Sequence, residues 1–334
     1  MPEKTEEVKT KLKSLGLSND VVQAAWPVWW SDDAERSPSA LNDLKFSVAR
    51  KLGISPSSLF DEGDATFVWQ GDAKFKGLRA RSVVEQNAMI AFGHSVTRLL
   101  LTAVGRPAAQ FDQGASAIEI RSSILRSGAP YVTLADMLAL SWAVGIPVIH
   151  LRVFPLEAKR MAAMTVRLDE RYAILLGHDS QYPAPICFDL AHELGHIARG
   201  HLTGDSAIID LKLAEDKTEE RDEEEVEADE FALAMLTGRP KPDIVATRAP
   251  RNSAELANSA LKASATEHIE PGTLALCYGH ATGEWRLANA ALKGIYPIQR
   301  PIWREVNKLA MSLFDTEELT PDNLDFLFSI MGLP

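Results

Sequence analysis

His192-Glu193-Leu194-Gly195-His196 sets two histidines four residues apart, with a glutamate beside the first, in an apolar stretch that favours helix. On a helix, residues four apart lie one above the other, so both imidazoles can reach one metal ion. Glu193 then points toward a water that the metal activates; it can take a proton from that water and deliver it to a leaving amine. This H-E-x-x-H pattern is the mark of zinc-dependent hydrolysis, and chance alone produces it in roughly one chain of this size per hundred.

Downstream, Glu225-Val-Glu-Ala-Asp-Glu-Phe-Ala-Leu-Ala-Met-Leu236 carries Ala228, Phe231, Ala232, Met235 and Leu236 on one helical face, and Gly238 and Pro240 stop the helix. Glu225 and Asp229 are four apart and share a face. That spacing suits a carboxylate that ligates zinc, followed one turn later by one that hydrogen-bonds a ligating histidine. His192, His196 and Glu225 would make three protein ligands and leave a fourth position for water. Glu227 is the rival ligand; it lies on a different face and has no acidic partner one turn on. The plainer alternative is that Glu225 ends the solvated acidic run Glu219-Glu220-Arg221-Asp222-Glu223-Glu224.

The elements that must position these residues come from a chain of 334 residues, enough for two or three domains, with 46% hydrophobic and 24% charged residues. No apolar run is long enough to cross a bilayer, and the polar N-terminus does not read as a secretory signal. Cys187 and Cys277 are the only cysteines, which argues against a disulfide framework and fits a reducing, cytoplasmic setting. Residues 1–150 hold 16 basic and 16 acidic residues and residues 151–334 hold 19 and 30, so the net charge of −11 belongs to the second half. Neither half is a basic nucleic-acid binder by composition. Lys74, Lys76, Arg79 and Arg81 form the densest basic cluster and read as solvated surface at a helix start.

The first 60 or so residues read as short helices: Glu6 to Ser14, one after Ser18 carrying Val21, Val22 and Ala25, and Ser39 to Leu52 ending at Gly53. Trp26, Trp29 and Trp30 anchor a small core. A short strand is expected at Ala65 to Gln70, a long helix from Gly77 to about Val104, and a linker at 105–114. Thr133 caps a helix to Val144. Strands follow at Pro147–Arg152, Met161–Leu168 and Tyr172–Gly177, the last two joined as a hairpin at Asp169-Glu170. The motif helix is expected to start near Asp189, with Gly195 allowing close approach to the sheet. Residues 204–224 read as a surface excursion, and the last 90 residues as a helical appendage. The expected organisation is an N-terminal domain of short helices at 1–75, a helical connector at 76–128, a metallopeptidase core at 129–245 and a C-terminal helical region at 246–334. The fold class is α+β: mainly helical, with a small twisted sheet beside the H-E-x-x-H helix in a zincin-like core.

From about Tyr131 to Leu236 the chain resembles the ImmA/IrrE family of zinc metallopeptidases, on Trp142-Ala-Val-Gly-Ile-Pro-Val-Ile149, Phe188-Asp-Leu-Ala-His-Glu-Leu-Gly-His196 and Glu225-Val-Glu-Ala-Asp-Glu-Phe-Ala232. Ala49-Arg-Lys-Leu-Gly-Ile-Ser-Pro-Ser-Ser-Leu-Phe60 resembles the last helices of lambda-repressor-like helix-turn-helix domains, which many family members carry. The resemblance implies a cytoplasmic regulatory protease that cleaves a helix-turn-helix repressor and releases stress, mobile-element or antiphage genes. Zn2+ would be held by His192, His196 and Glu225, Glu193 would be the general base, and Asp229 would support a ligating histidine. Where helix-turn-helix proteins place their DNA-reading helix, this chain has Pro27 to Arg36, aromatic and acidic and poor in side chains that read bases. A degenerate helix-turn-helix kept for protein contacts and a working DNA reader stand as equal alternatives for the N-terminal domain. The further partners expected are a nucleic-acid activator or a weak DNA contact through that domain; no membrane is expected. Candidates for an oxyanion donor are Arg199, His201, Tyr172, Tyr278 and His280. His150 and His178 read as structural, and His94 and His268 carry no assigned role. The competing class is a non-catalytic regulator that binds DNA or a repressor without cutting.

Overall fold

The computed structural model describes residues 2–70, 73–76, 82–107, 111–157, 161–211, 222–242, 244 and 248–333. Four helices open the chain: α1 (Pro2–Ser14), α2 (Asn19–Ala25), α3 (Pro38–Leu52) and α4 (Pro56–Phe60). Ser18 and Ser37 cap α2 and α3 by accepting backbone N–H bonds from Val21 and Ala40, and Gly53 ends α3 at φ 69°, where a side chain would be strained. Between α2 and α3 there is only a single 3-10 turn, Ala34–Arg36, so no α-helix stands where a DNA-reading helix would. Trp26 and Trp30 pack edge to face and are partly buried, whereas Trp29 is 45% exposed; the expected aromatic anchor is two tryptophans rather than three.

The strand expected at Ala65–Gln70 is absent: Phe67 makes one isolated bridge to Ile54. The strand lies further on, at β1 (Ala73–Lys76), so Lys74 and Lys76 sit on a strand, and Lys76 is buried rather than solvated. Arg79, Arg81 and the first residues of the expected long helix lie outside the described residues. Helix α5 (Val83–Ala103) starts at a Ser82–Glu85 capping box and is buried almost throughout from Ala88 to Leu101, because it is sandwiched between α3 and the sheet. Two connectors follow, α6 (Ala117–Arg126) and α7 (Leu134–Ala143), the latter capped by Thr133 and Asp136 as the sequence predicts.

The sheet has the order β1-β5-β3-β4-β2, with β2 (Val148–His150), β3 (Ala163–Leu168), β4 (Arg171–Leu176) and β5 (Ser206–Asp210). β3 and β4 form the predicted hairpin, whose turn residues Asp169 and Glu170 both adopt positive φ (50° and 62°), the backbone a two-residue turn needs to match strand twist. β5 runs antiparallel to β3, whereas β2–β4 and β1–β5 are parallel pairs. Side chains alternate with period 2. Met164, Val166, Ala173, Leu175, Ala207 and Ile209 face α5 and the N-terminal helices, whereas Ala163, Tyr172, Ile174, Leu176 and Ile208 face the metal-motif side. Residues 204–224 are thus not wholly an excursion: they begin with a core strand, and 212–221 lie outside the described residues.

The motif helix α8 (Pro183–Ala198) starts six residues before the expected Asp189. Pro183 and Pro185 both occupy its first turn, where the missing N–H has no intrahelical partner to lose. Helix α9 (Glu223–Thr237) is capped by Asp222 and stopped by Gly238 at φ 83°. Of the C-terminal helices, α10 (Ser253–Glu267), α11 (Pro271–Thr282) and α12 (Trp285–Ile295) share one apolar cluster. The last two, α13 (Ile302–Leu313) and α14 (Pro321–Met331), seal the β2 edge of the sheet.

Asn307 makes that seal: fully buried, it accepts from His150 N at 2.7 Å and donates to His150 O at 2.7 Å and Met331 O at 2.8 Å. Asn307→Ala would leave these backbone groups unpaired, and it is expected to lower unfolding free energy by about 3 kcal/mol. Chemical denaturation measures this, and a loss well under 1 kcal/mol would show that water replaces the amide.

Candidate metal centre

Helix α8 crosses α9 at Gly195. A Cβ there would lie 2.9 Å from Ala228 O, 3.0 Å from Ala228 Cα and 3.2 Å from Phe231 Cβ. The close approach made possible by this glycine is therefore to the second motif helix and not, as expected from sequence, to the sheet. The helix that does use a glycine against the sheet is α5, through Gly93 and Met164.

The crossing brings His192, His196 and Glu225 together, with their ligand atoms within 4.8 Å of one another. His192 Nε2 and His196 Nε2 are 3.1 Å apart, and they lie 3.5 and 3.3 Å from the two Glu225 oxygens. Ligands about 2.0–2.1 Å from a tetrahedral zinc are separated from one another by about 3.3 Å, so these spacings fit that ion. A second observation points the same way: Glu225 Oε1 and Glu193 Oε1 are buried without a hydrogen-bond partner. Burial opposes ionisation of Glu225, but the two histidines outweigh it and hold its pKa well below the carboxylate range. Burial also opposes charge on His192, where bonds to Asp229 and Glu225 prevail and raise the pKa well above its ordinary value.

Asp229, one turn beyond Glu225, lies 3.0 Å from His192 Nδ1, the contact its spacing implies. Glu193 is wholly buried, and its Oε2 accepts a 2.5 Å hydrogen bond from Thr165 Oγ1 on β3. Burial pushes its carboxyl up to about 8, helped by the negative Asp210 and Glu225 and opposed by His192 and the Thr165 hydroxyl.

Both ends of α9 are anchored. Lys74 bridges Glu224 (2.5 Å) and the carbonyl of His201 (3.0 Å), while Lys76 binds Asp222 and Glu224 and lies 3.8 Å from Glu225. Burial works against the Lys76 charge, but these carboxylates overcome it and raise its pKa. At the other end, buried Arg121 donates to the carbonyls of Leu236 (2.8 Å), Met235 and His268. Sequence reasoning missed Thr165, Arg121 and Asp210, and it read Lys76 as solvated surface. Only Thr165 left a signal, as the one hydroxyl in the strand Ala-Met-Thr-Val-Arg-Leu.

Glu227 stands outside the ligand trio. Its Oε2 lies 2.9 Å from His201 Nε2, and His201 Nδ1 lies 2.8 Å from His196 Nδ1. His201 is thus bonded behind a ligand rather than placed as an oxyanion donor. Tyr172 OH accepts from Gln113, Arg199 is the exposed C-cap of α8, and Tyr278 and His280 are on α11, with His280 against Trp285. His150 and His178 are joined through the His178 carbonyl, and His178 is bonded to Asp189. His94 stacks on Trp69 and His268 ends α10.

No curated protein and no solved structure matches this chain. Among the described residues, no helix is long and apolar enough to cross a membrane. Residues 146–258, which span β2 to β5, both motif helices and all three grouped ligands, match the family model of peptidase M78, the IrrE N-terminal-like domain.

Proposed function

We propose that this chain is a zinc-dependent endopeptidase of zincin-like architecture that cleaves a helix-turn-helix repressor and so switches on a stress, mobile-element or antiphage response. The observation that carries this reading is the pairing of the His192–His196–Glu225 cluster with a buried, unshared carboxylate oxygen on Glu193. Zinc held by those three residues would supply Lewis acidity toward a peptide carbonyl and lower the pKa of a water. Glu193 takes the proton through Oε1, while Thr165 fixes the other oxygen. It then returns the proton to the departing amine. Asp229 orients His192 by accepting its Nδ1 proton.

The excess of 30 acidic over 19 basic residues in 151–334 favours a substrate with a basic face, as a DNA-binding repressor has. One observation favours a second reading, a regulator that binds without cutting: Glu193 is 0% exposed, so no substrate reaches it in this conformation. A peptidase that opens on a signal, such as nucleic acid, reconciles the two. The test is incubation of the zinc-loaded protein with helix-turn-helix repressors, with and without nucleic acid. A discrete fragment that chelator abolishes and added zinc restores is the expected result. Stable binding of the repressor without any fragment under all these conditions would establish the second reading.

A further inference from the structure

The two ligand histidines are supported differently. His192 leans directly on Asp229, whereas behind His196 stands a second imidazole. His196 is fully buried and aims Nε2 at the ligand cluster, which leaves Nδ1 to carry its proton. His201 Nδ1 faces that nitrogen at 2.8 Å, and His201 Nε2 faces the Glu227 carboxylate at 2.9 Å. A carboxylate only accepts, so neutral His201 carries its proton on Nε2 and offers a lone pair at Nδ1. With His201 neutral the directions follow: His196 donates to His201, and His201 donates to Glu227.

The chain builds this arrangement deliberately. Gly200, at φ 71°, turns the backbone past the end of α8 so that His201 N bonds back to His196 O at 3.0 Å. Lys74 on β1 then holds the His201 carbonyl at 3.0 Å. His201 itself is 7% exposed, and Glu227 forms the solvent-facing end.

We infer that His201 and Glu227 are positioning residues for the metal centre: a histidine–carboxylate relay that locks His196 in the tautomer able to ligate zinc. The inference rests on the zinc reading above. It assigns a role to Glu227, whose sequence position competes with Glu225 for ligation, and removes His201 from contact with substrate.

The test uses the full chain and three forms: wild type, His201→Phe, which keeps a ring but removes the acceptor, and His201→Asn, which restores an acceptor near the Nδ1 position. Zinc affinity is read by competition with a chromophoric chelator, and the His196 tautomer by long-range proton–nitrogen NMR on zinc-free protein. His201→Phe is expected to bind zinc roughly 10–100-fold more weakly. It should also lose the single Nδ1–H form of His196, and His201→Asn should recover most of both. Zinc affinity within twofold of wild type in His201→Phe, or an unchanged His196 tautomer, would overturn the relay. Melting temperature of the zinc-free forms separates misfolding from lost positioning, and failure of His201→Asn to recover either readout also counts against it. Absence of zinc binding in the wild type would instead sink the zinc reading, while the tautomer measurement still decides the relay.

Discussion

Glu193→Gln is expected to bind zinc as the wild type does and to lose cleavage by about 10²–10⁴-fold. The amide keeps the volume of the buried side chain and can still accept the Thr165 hydroxyl, so the fold around it is preserved. It cannot take a proton, and Glu193 is not among the three grouped ligands. Because an amide carries no charge to bury in a site with 0% exposure, its melting temperature should equal or exceed that of the wild type. Metal content, melting temperature and fragment yield on the same preparation check all three statements. A variant that loses its zinc, or that still cuts at the wild-type rate, would remove Glu193 from the role of base.

Gly195→Ala sets two effects against each other and lets their signs decide. Helix propensity favours alanine in α8 by about 1 kcal/mol. Against that, the new methyl meets the backbone of Ala228 at 2.9–3.0 Å and Phe231 Cβ at 3.2 Å, and backbone atoms inside a packed helix pair do not swing aside. Overpacking of this kind costs about 1–3 kcal/mol, so net destabilisation is expected. The same displacement moves α9, and Glu225 with it, away from His192 and His196, so zinc affinity should fall by about tenfold for each 1.4 kcal/mol of strain carried by the site. Denaturation and zinc titration together check this. An alanine variant that is more stable, with unchanged zinc affinity, would mean that α8 and α9 do not touch at Gly195.

The parts of this site that were legible in the sequence are those written at helical or hairpin spacing. His192 and His196, Glu225 and Asp229, the Thr133 cap and the Asp169-Glu170 turn each depend on residues within one turn of one another. What escaped depends on contacts between distant segments. β1 and β5 read Ala-Lys-Phe-Lys and Ser-Ala-Ile-Ile-Asp, too short and too polar to announce strands; they owe their form to pairing with each other and with β3. Gly195 promised a close neighbour without naming it. His201 and Glu227 lie 26 residues apart in sequence, on either side of β5, and only the crossing of α8 and α9 joins them. The N-terminal helices appear as expected, but the segment 27–36 contains no α-helix, so resemblance in the later helices did not extend to the element that would read DNA.

The most direct measurement is zinc stoichiometry by elemental analysis of the purified chain, beside Glu225→Ala. One zinc per chain in the wild type, lost or greatly weakened when Glu225 is removed, is the expected result, since the carboxylate supplies the third of the grouped ligands. No zinc in the wild type after zinc is supplied, or full retention in Glu225→Ala, would contradict a catalytic centre built on His192, His196 and Glu225.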